Sequence, residues 1–223
     1  PFDSNHLKVL IDDKTQVTYR KREESLPAIV SELKVMVEAH CGNYLVFCPS
    51  YGYLERLHKA FSTAFPDIRT IIQESPMSEK QRRAFLESFE ENPQEPLIGF
   101  AVLGGIFSEG IDLKGTRLSG CAIISVGLPM INDETDELRR YFDEKNSDGF
   151  QYAYQLPGLN NVFQAAGRVI RGERDVGVVL LIDARFAEHR YAQFYPQFWS
   201  SLEYVNGKEQ LRNSLDNFWN IHG

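Results

Sequence analysis

The stretch QAAGRVIRGERDVGVVLLIDARF, Gln164–Phe186, combines two kinds of periodicity. Its second half carries Val176–Ile182, an apolar run that is nearly continuous and does not alternate. Runs of that kind are strands covered on both faces. Its first half has helical spacing. At about 100° per residue, Gln164, Arg168 and Arg171 share one helix face. Phe163, Ala166 and Ile170 centre roughly 130° away from it. The expectation is a helix docked by its apolar side and feeding a buried strand. Tyr44–Cys48, Leu97–Leu103 and Cys121–Val126 are three more such runs. Between them lie amphipathic segments. Leu26, Ile29, Val30, Leu33 and Val37 keep the i, i+3, i+4, i+7 rule, as do Leu54, Leu57 and Phe61. Ser78-Glu79-Lys80-Gln81 reads as a capping box opening a helix with Phe85, Leu86 and Phe89. Leu211, Leu215, Phe218 and Trp219 form a last stripe. Strands alternating with helices imply βαβ units, a mostly parallel sheet and right-handed crossovers that place helices on both faces. Ligands of such sheets bind beyond the carboxyl ends of the strands.

Composition bounds the rest. The chain has 223 residues, 43% hydrophobic and 25% charged, which suits one α/β domain with a sizeable core. No apolar run approaches the roughly 20 residues that span a bilayer, and no signal peptide is visible, so a cytoplasmic location is expected. The chain opens Pro1-Phe2 with no Met, so it is expected to be a fragment or processed piece of something longer. The net charge of −7 argues against binding nucleic acid through overall charge, but a local basic groove is compatible with it. The three cysteines, Cys41, Cys48 and Cys121, have no Cys-x-x-Cys spacing, so buried reduced thiols are expected and no metal site. The five histidines make no ligand spacing. The region 129–157, rich in Asp, Glu, Asn and aromatics, reads as an inserted excursion in a single domain covering 1–223.

Three segments carry chemistry. Arg168 and Arg171 lie close enough to repel one another, which points to an anionic partner, and phosphate fits the guanidinium fork. A solvated helix edge with ion pairs fits the spacing equally well. Gly104-Gly105-Ile106-Phe107-Ser108-Glu109-Gly110-Ile111-Asp112 follows an apolar run directly. Its glycines let a ligand approach the backbone, and Glu109 and Asp112 offer acceptors to ribose hydroxyls or to the arginines. A Gly-rich turn with a capping Asp is the simpler account. In Phe47-Cys48-Pro49-Ser50-Tyr51-Gly52-Tyr53, Ser50 either caps the next helix or donates to a phosphate, and the tyrosines either stack on bases or pack.

Taken together and in order, these segments resemble motifs IV, V and VI of superfamily 2 helicases, and most closely the XPD/DinG family of DNA helicases. YLVFCPSY (Tyr44–Tyr51) is similar to motif IV, FSEGID (Phe107–Asp112) to motif V, and Gln164–Phe186 to motif VI and its following strand. REESL (Arg22–Leu26) and GLP (Gly127–Pro129) fit bacterial members. The resemblance runs through nearly the whole chain. It implies a RecA-like α/β three-layer sandwich acting as the second motor domain of an ATP-dependent DNA helicase, with ATP between two RecA-like domains. By motif, Arg171 is the arginine finger, and Arg168 and Gln164 hold phosphates or couple the site to DNA. Glu109, Gly110 and Asp112 belong to nucleotide binding. Ser50, Tyr51, Gly104 and Gly105 contact single-stranded DNA. The first RecA-like domain of the same polypeptide is the implied partner, and 5′→3′ movement the implied direction.

No Gly-x-x-x-x-Gly-Lys-Ser/Thr occurs, so ATP and Mg²⁺ would be held mainly by that other domain. The family's iron–sulfur cysteines are absent from this chain, which leaves such a cluster open for the parent. Asp133-Glu134-Thr135-Asp136 mimics a DExD box without an adjoining strand, and reads better as acids at a helix start. The isolated chain is expected to be inactive. Two rivals stand: an RNA-directed motor of the same superfamily, and a non-catalytic binding module derived from a helicase. Phe150, Tyr152 and Tyr154 are expected to pack the excursion onto the domain. Phe194, Tyr195, Phe198 and Trp199 are expected to anchor the C-terminal helix. The oligomeric state is left open.

Overall fold

The computed structural model describes residues 3–108, 111–145 and 147–223. Its centre is a sheet of seven strands: β1 (Leu7–Asp12), β2 (Asn43–Cys48), β3 (Arg69–Ile72), β4 (Leu97–Val102), β5 (Gly120–Ile124), β6 (Gly177–Ile182) and β7 (Leu202–Val205). They are ordered β3-β4-β2-β5-β6-β1-β7, and every recorded pairing is parallel. The four continuous apolar runs of the sequence are the contiguous block β4-β2-β5-β6. There both faces are covered and alternation disappears. The remaining three strands are shorter or carry charge. Lys8 of β1 pairs with Glu203 of β7 at 2.6 Å, so the ammonium is neutralised within the sheet.

Helices α1 (Arg22–Ala39), α2 (Tyr51–Ala64) and α7 (Gly207–His222) cover one face. Leu33, Met36, Leu54, Phe61, Leu211 and Leu215 pack there on Leu10, Val46, Ala122 and Leu180. The opposite face takes α3 (Glu79–Glu87), α5 (Leu156–Ala166), the short α6 (His189–Ala192) and the irregular crossover 103–119. Phe85, Phe107, Leu159, Val162 and Tyr191 pack there on Val9, Phe47, Cys121 and Val179. Successive strand residues point to opposite faces, so each strand contributes to both cores. Burying each large side chain stabilises by about 1.5–3 kcal/mol. The capping box at Ser78 forms as expected, with Gln81 N–H on Ser78 Oγ and Ser78 N–H on Gln81 Oε1.

Within 129–157, Asn132 caps α4 (Asp133–Glu144), which carries Asp133, Glu134 and Asp136 in its first turn. The acids therefore complement a helix dipole and stand beside no strand. Phe142 stacks on Tyr152 at 4.5 Å, and the Tyr154 hydroxyl donates to Asp136 Oδ1 at 2.7 Å. These contacts pin α4 to the π-helical turn Gln151–Gln155 that runs into α5, so Tyr152 and Tyr154 pack within the 129–157 stretch.

Three expectations need correction. Gln164, Arg168 and Arg171 do not share a helix face, because α5 ends at Ala166 and Gly167 is its C-cap. Beyond it the chain turns, stabilised by Arg168 N–H on Ala165 O and Val169 N–H on Ala166 O. The aromatics near residue 195 do not anchor the C-terminal helix. Tyr195 and Trp199 meet Phe163 of α5 edge-on, on the face opposite α7. Cys48 and Cys121 are buried, but Cys41 is exposed. No helix among the described residues is long and apolar enough to cross a membrane.

Candidate functional site

The crossover 103–119 leaves the carboxyl end of β4 and crosses to the start of β5. Gly104 opens it at φ +73°, and a Cβ there would lie 3.0 Å from Asn161 Nδ2 of α5, so only glycine fits without strain. Its N–H donates to Ser108 Oγ at 2.8 Å. Gly105 N–H donates to Val102 O at 3.1 Å, tightening the turn. Ser108 is fully buried, and its carbonyl accepts from Arg168 Nε at 2.9 Å. Further along the crossover, Ile111 O accepts from Arg171 Nη2 at 2.6 Å. Both arginines that follow α5 are therefore fastened to the crossover through its carbonyl dipoles.

A buried carboxylate organises the same junction. Asp175 is 6% exposed and accepts three backbone N–H groups: Arg171 at 2.7 Å, Gly172 at 2.8 Å and Gly115 at 3.2 Å. It ties the segment carrying Arg171 to the far end of the crossover. Arg171 is exposed, and its bond to Ile111 O uses one of five guanidinium N–H donors. Arg168 is half-buried, and Gln164 is exposed at the end of α5. Asp112 is exposed and pairs with Lys114 at 3.0 Å. Glu109 and Gly110 lie outside the described residues.

Ser50 and Tyr51 sit after β2. Ser50 accepts from Tyr53 N–H at 3.3 Å and so caps α2. The Tyr51 hydroxyl accepts from Gln73 Nε2 at 2.7 Å, and Gln73 Oε1 accepts from Val102 N–H at 2.9 Å. Gln73 is 2% exposed, so one buried amide locks Tyr51 to the carboxyl end of β4, beside Gly104. Ser50, Leu103, Ser125, Gly127 and Asn161 line a cleft of about 760 Å³ where the strands end. Arg185 also lines it, held by buried Asp183 at 2.6 Å and by Ser125 Oγ at 3.2 Å.

The sequence-predicted residues thus fall in two neighbourhoods bridged by the crossover. Ser50, Tyr51, Gly104 and Gly105 gather at the carboxyl ends of β2 and β4. Arg168, Arg171 and Asp112 gather where the crossover meets the segment after α5. Asp175, Gln73 and Asn161 were missed, although Asp175 closes a Gly-x-x-Asp turn, a spacing that suits side-chain capture of backbone N–H groups. Among the described residues no cluster of three or more His, Cys, Asp or Glu side chains is placed to hold a metal ion. Burial pushes the thiols of Cys48 and Cys121 well up, which leaves them unreactive.

Comparison with known proteins matches residues 33–201 to the family described as the helicase C-terminal domain. The chain is 28% identical over 183 residues to the ATP-dependent DNA helicase chl-1 of Caenorhabditis elegans, covering 78% of this chain and 22% of that protein. It is 26% identical over 202 residues to the ATP-dependent DNA helicase DDX11 of Mus musculus, covering 79% of this chain and 22% of that protein. The chain thus spans about a fifth of the length of these relatives. A structure of XPD in its apo form superposes with a TM-score of 0.70 at 20% identity, over 89% of this chain and 40% of that one. With its parallel sheet, its glycine-led crossover and the arginines fastened to it, this RecA-like chain belongs to the helicase C-terminal domain family.

Proposed function

We propose that the chain is the second motor domain of an ATP-dependent DNA helicase, supplying an arginine finger and part of a single-stranded DNA track. The observation that carries this reading is the hydrogen-bonded line from Gly104 through Ser108 to Arg168, with Arg171 held further along the same crossover at Ile111. Residues that would meet the strand and residues that would meet the nucleotide are then hydrogen-bonded to the same crossover. A shift at either end is passed to the other through short bonds, which is what coupling of hydrolysis to stepping requires.

In this reading Arg171 turns its remaining N–H donors toward the γ-phosphoryl oxygens, where charge grows in the transition state. Arg168 holds the neighbouring loop in register, and Gln164 lies alongside. Asp112 leaves Lys114 for the ribose. Ser50, Tyr51 and the backbone of Gly104 and Gly105 take the phosphodiester strand. The first RecA-like domain would bring the phosphate-binding loop and the Mg²⁺ that accompanies ATP. Any iron–sulfur cluster would belong to other parts of the parent.

The test is ATP hydrolysis by the full-length parent, with and without single-stranded DNA, for wild type and Arg171→Ala. DNA should stimulate the wild type. The variant should lose about 10³–10⁵ in turnover, the range such fingers contribute, while still binding ATP. Stimulation by a matched RNA strand in place of DNA would assign an RNA-directed motor. Absence of turnover with either strand would leave a binding module.

A further inference from the structure

A second feature of the cleft lies outside motifs IV to VI. Arg22, the first residue of α1, lines it together with Tyr19. The guanidinium carbon stands 5.8 Å from the ring centroids of both Tyr19 and Tyr53. Its Nε is buried and has no hydrogen-bond partner among the described residues. Burial acts on it most, and its electrostatic neighbours, the two tyrosines with Arg185 and Arg56, include no carboxylate, although Asp136 lines the same cleft. Its neighbours in sequence are engaged elsewhere: Glu23 binds Arg56 at 2.8 Å and Glu24 binds Lys21 at 2.7 Å. Arg185, by contrast, is neutralised by Asp183. A guanidinium held against two aromatic rings, with a buried Nε that has no hydrogen-bond partner among the described residues, has donors to offer an anion.

The apolar surface around it narrows the choice of anion. Tyr19 is 86% exposed, and Met130 and Ile131, which line the same cleft, are 83% and 78% exposed. Large side chains left this open beside a cation suit a ligand with a charged backbone and flat apolar groups. We propose that Arg22 binds a backbone phosphate of single-stranded nucleic acid in this cleft, with an adjacent base stacked on Tyr19. The inference rests on the helicase reading above and extends the strand path from Ser50 across the end of β2 to the start of α1.

Binding of fluorescent oligothymidylate to the full-length protein, followed by anisotropy between roughly 50 and 300 mM salt, tests it. Arg22→Ala should weaken binding several-fold and reduce the slope of log affinity against log salt by about 0.7, one phosphate contact on a single strand. Arg22→Lys should restore the slope. Tyr19→Ala should weaken binding about fivefold or more with the slope unchanged, because stacking releases no counterion. Arg212→Ala, whose side chain pairs with Glu38 at the opposite end of α1 from Arg22, is the control and should match wild type. Melting curves of the variants establish that each is folded. Isotherms of Arg22→Ala and Tyr19→Ala that overlay wild type would overturn the proposal. So would a slope unchanged by Arg22→Ala alongside weakened competition by inorganic phosphate, which would assign the site to a free phosphate. A wild type that binds no oligothymidylate would sink the helicase reading itself.

Discussion

Replacing Glu32 by Gln should abolish a pH dependence of stability that is built into the core. Glu32 projects from α1 at 4% exposure, close to Asp12 at the end of β1, which is 1% exposed. Asp12 is committed to the turn that follows it, accepting the N–H groups of Lys14 at 2.8 Å and Thr15 at 3.2 Å. Burial first, and then the Asp12 carboxylate, push the Glu32 pKa from near 4.5 up to about 9. At neutral pH the folded chain therefore keeps Glu32 protonated, while the unfolded chain releases that proton. Below about 4.5 both states hold it and the full stability is present. As pH rises, the unfolded state gains about 1.4 kcal/mol per unit until the folded state also ionises near 9. Between about pH 5.5 and 7.5 that amounts to about 3 kcal/mol, a large share of a typical domain's stability. Urea unfolding of this chain at several pH values should show wild type losing stability across that window. Glu32→Gln, which has no proton to lose, should stay flatter and become the more stable form at about pH 7.5 and above. Parallel curves for the two proteins would refute the reasoning, since they would mean that Glu32 is already ionised in the fold.

Other outcomes follow from the site. Ser108→Ala removes the acceptor for Gly104 N–H, a loss of about 1 kcal/mol where water can partly replace it. In the full-length protein it should lower the stimulation of ATP turnover by single-stranded DNA more than it lowers basal turnover, and an unchanged ratio would contradict the coupling line. Asp175→Ala frees the N–H groups of Arg171, Gly172 and Gly115 together, so it should cost about 2–4 kcal/mol in unfolding experiments and impair turnover even though the carboxylate touches no substrate. The purified chain by itself should hydrolyse ATP negligibly, because it contains no phosphate-binding loop. Turnover that survives repeated purification and is lost in Arg171→Ala would contradict this.

The sequence made the central block of the sheet legible, and it did so for a physical reason. Strands buried on both faces cannot tolerate polar positions, so β2, β4, β5 and β6 appear as unbroken apolar runs. The outer strands escaped because they are relieved of that constraint. β3 has only four residues, none of them fully buried, and β7 sits at an edge where Glu203 can reach Lys8. The arginine pair was found but its geometry was not. Helical periodicity extrapolated through Gly167 puts Arg168 and Arg171 on one face, whereas the real constraint is tertiary. Asp175 captures the backbone of Arg171 and Gly172 and turns the chain toward β6. Carbonyls of Ser108 and Ile111, 60 residues earlier in the chain in each case, then fix where the guanidiniums lie. No local pattern encodes a partner at that separation. The same holds for Gln73, an ordinary glutamine after β3 until its amide is seen bridging Tyr51 and Val102.

The net charge of −7 then acquires a different meaning from the one composition suggests. At about 0.1 M salt, exposed charges further than about 10 Å from a phosphate are largely screened, so the sum over the surface matters less than the balance within the cleft. Of the cleft's three arginines, Arg185 is paired with Asp183 and Arg139 lies 3.7 Å from Asp143, which leaves Arg22 as the one without an ion pair among the described residues, with Asp136 lining the same cleft. One guanidinium with exposed aromatic and aliphatic neighbours can orient a strand but supplies little counterion release. A domain built this way would hold nucleic acid weakly when alone and gain affinity when a second domain closes over the same strand. On the helicase reading that weakness is useful, because a motor domain must release its track once per cycle, and the acidic surface keeps the released strand from being held elsewhere on the domain.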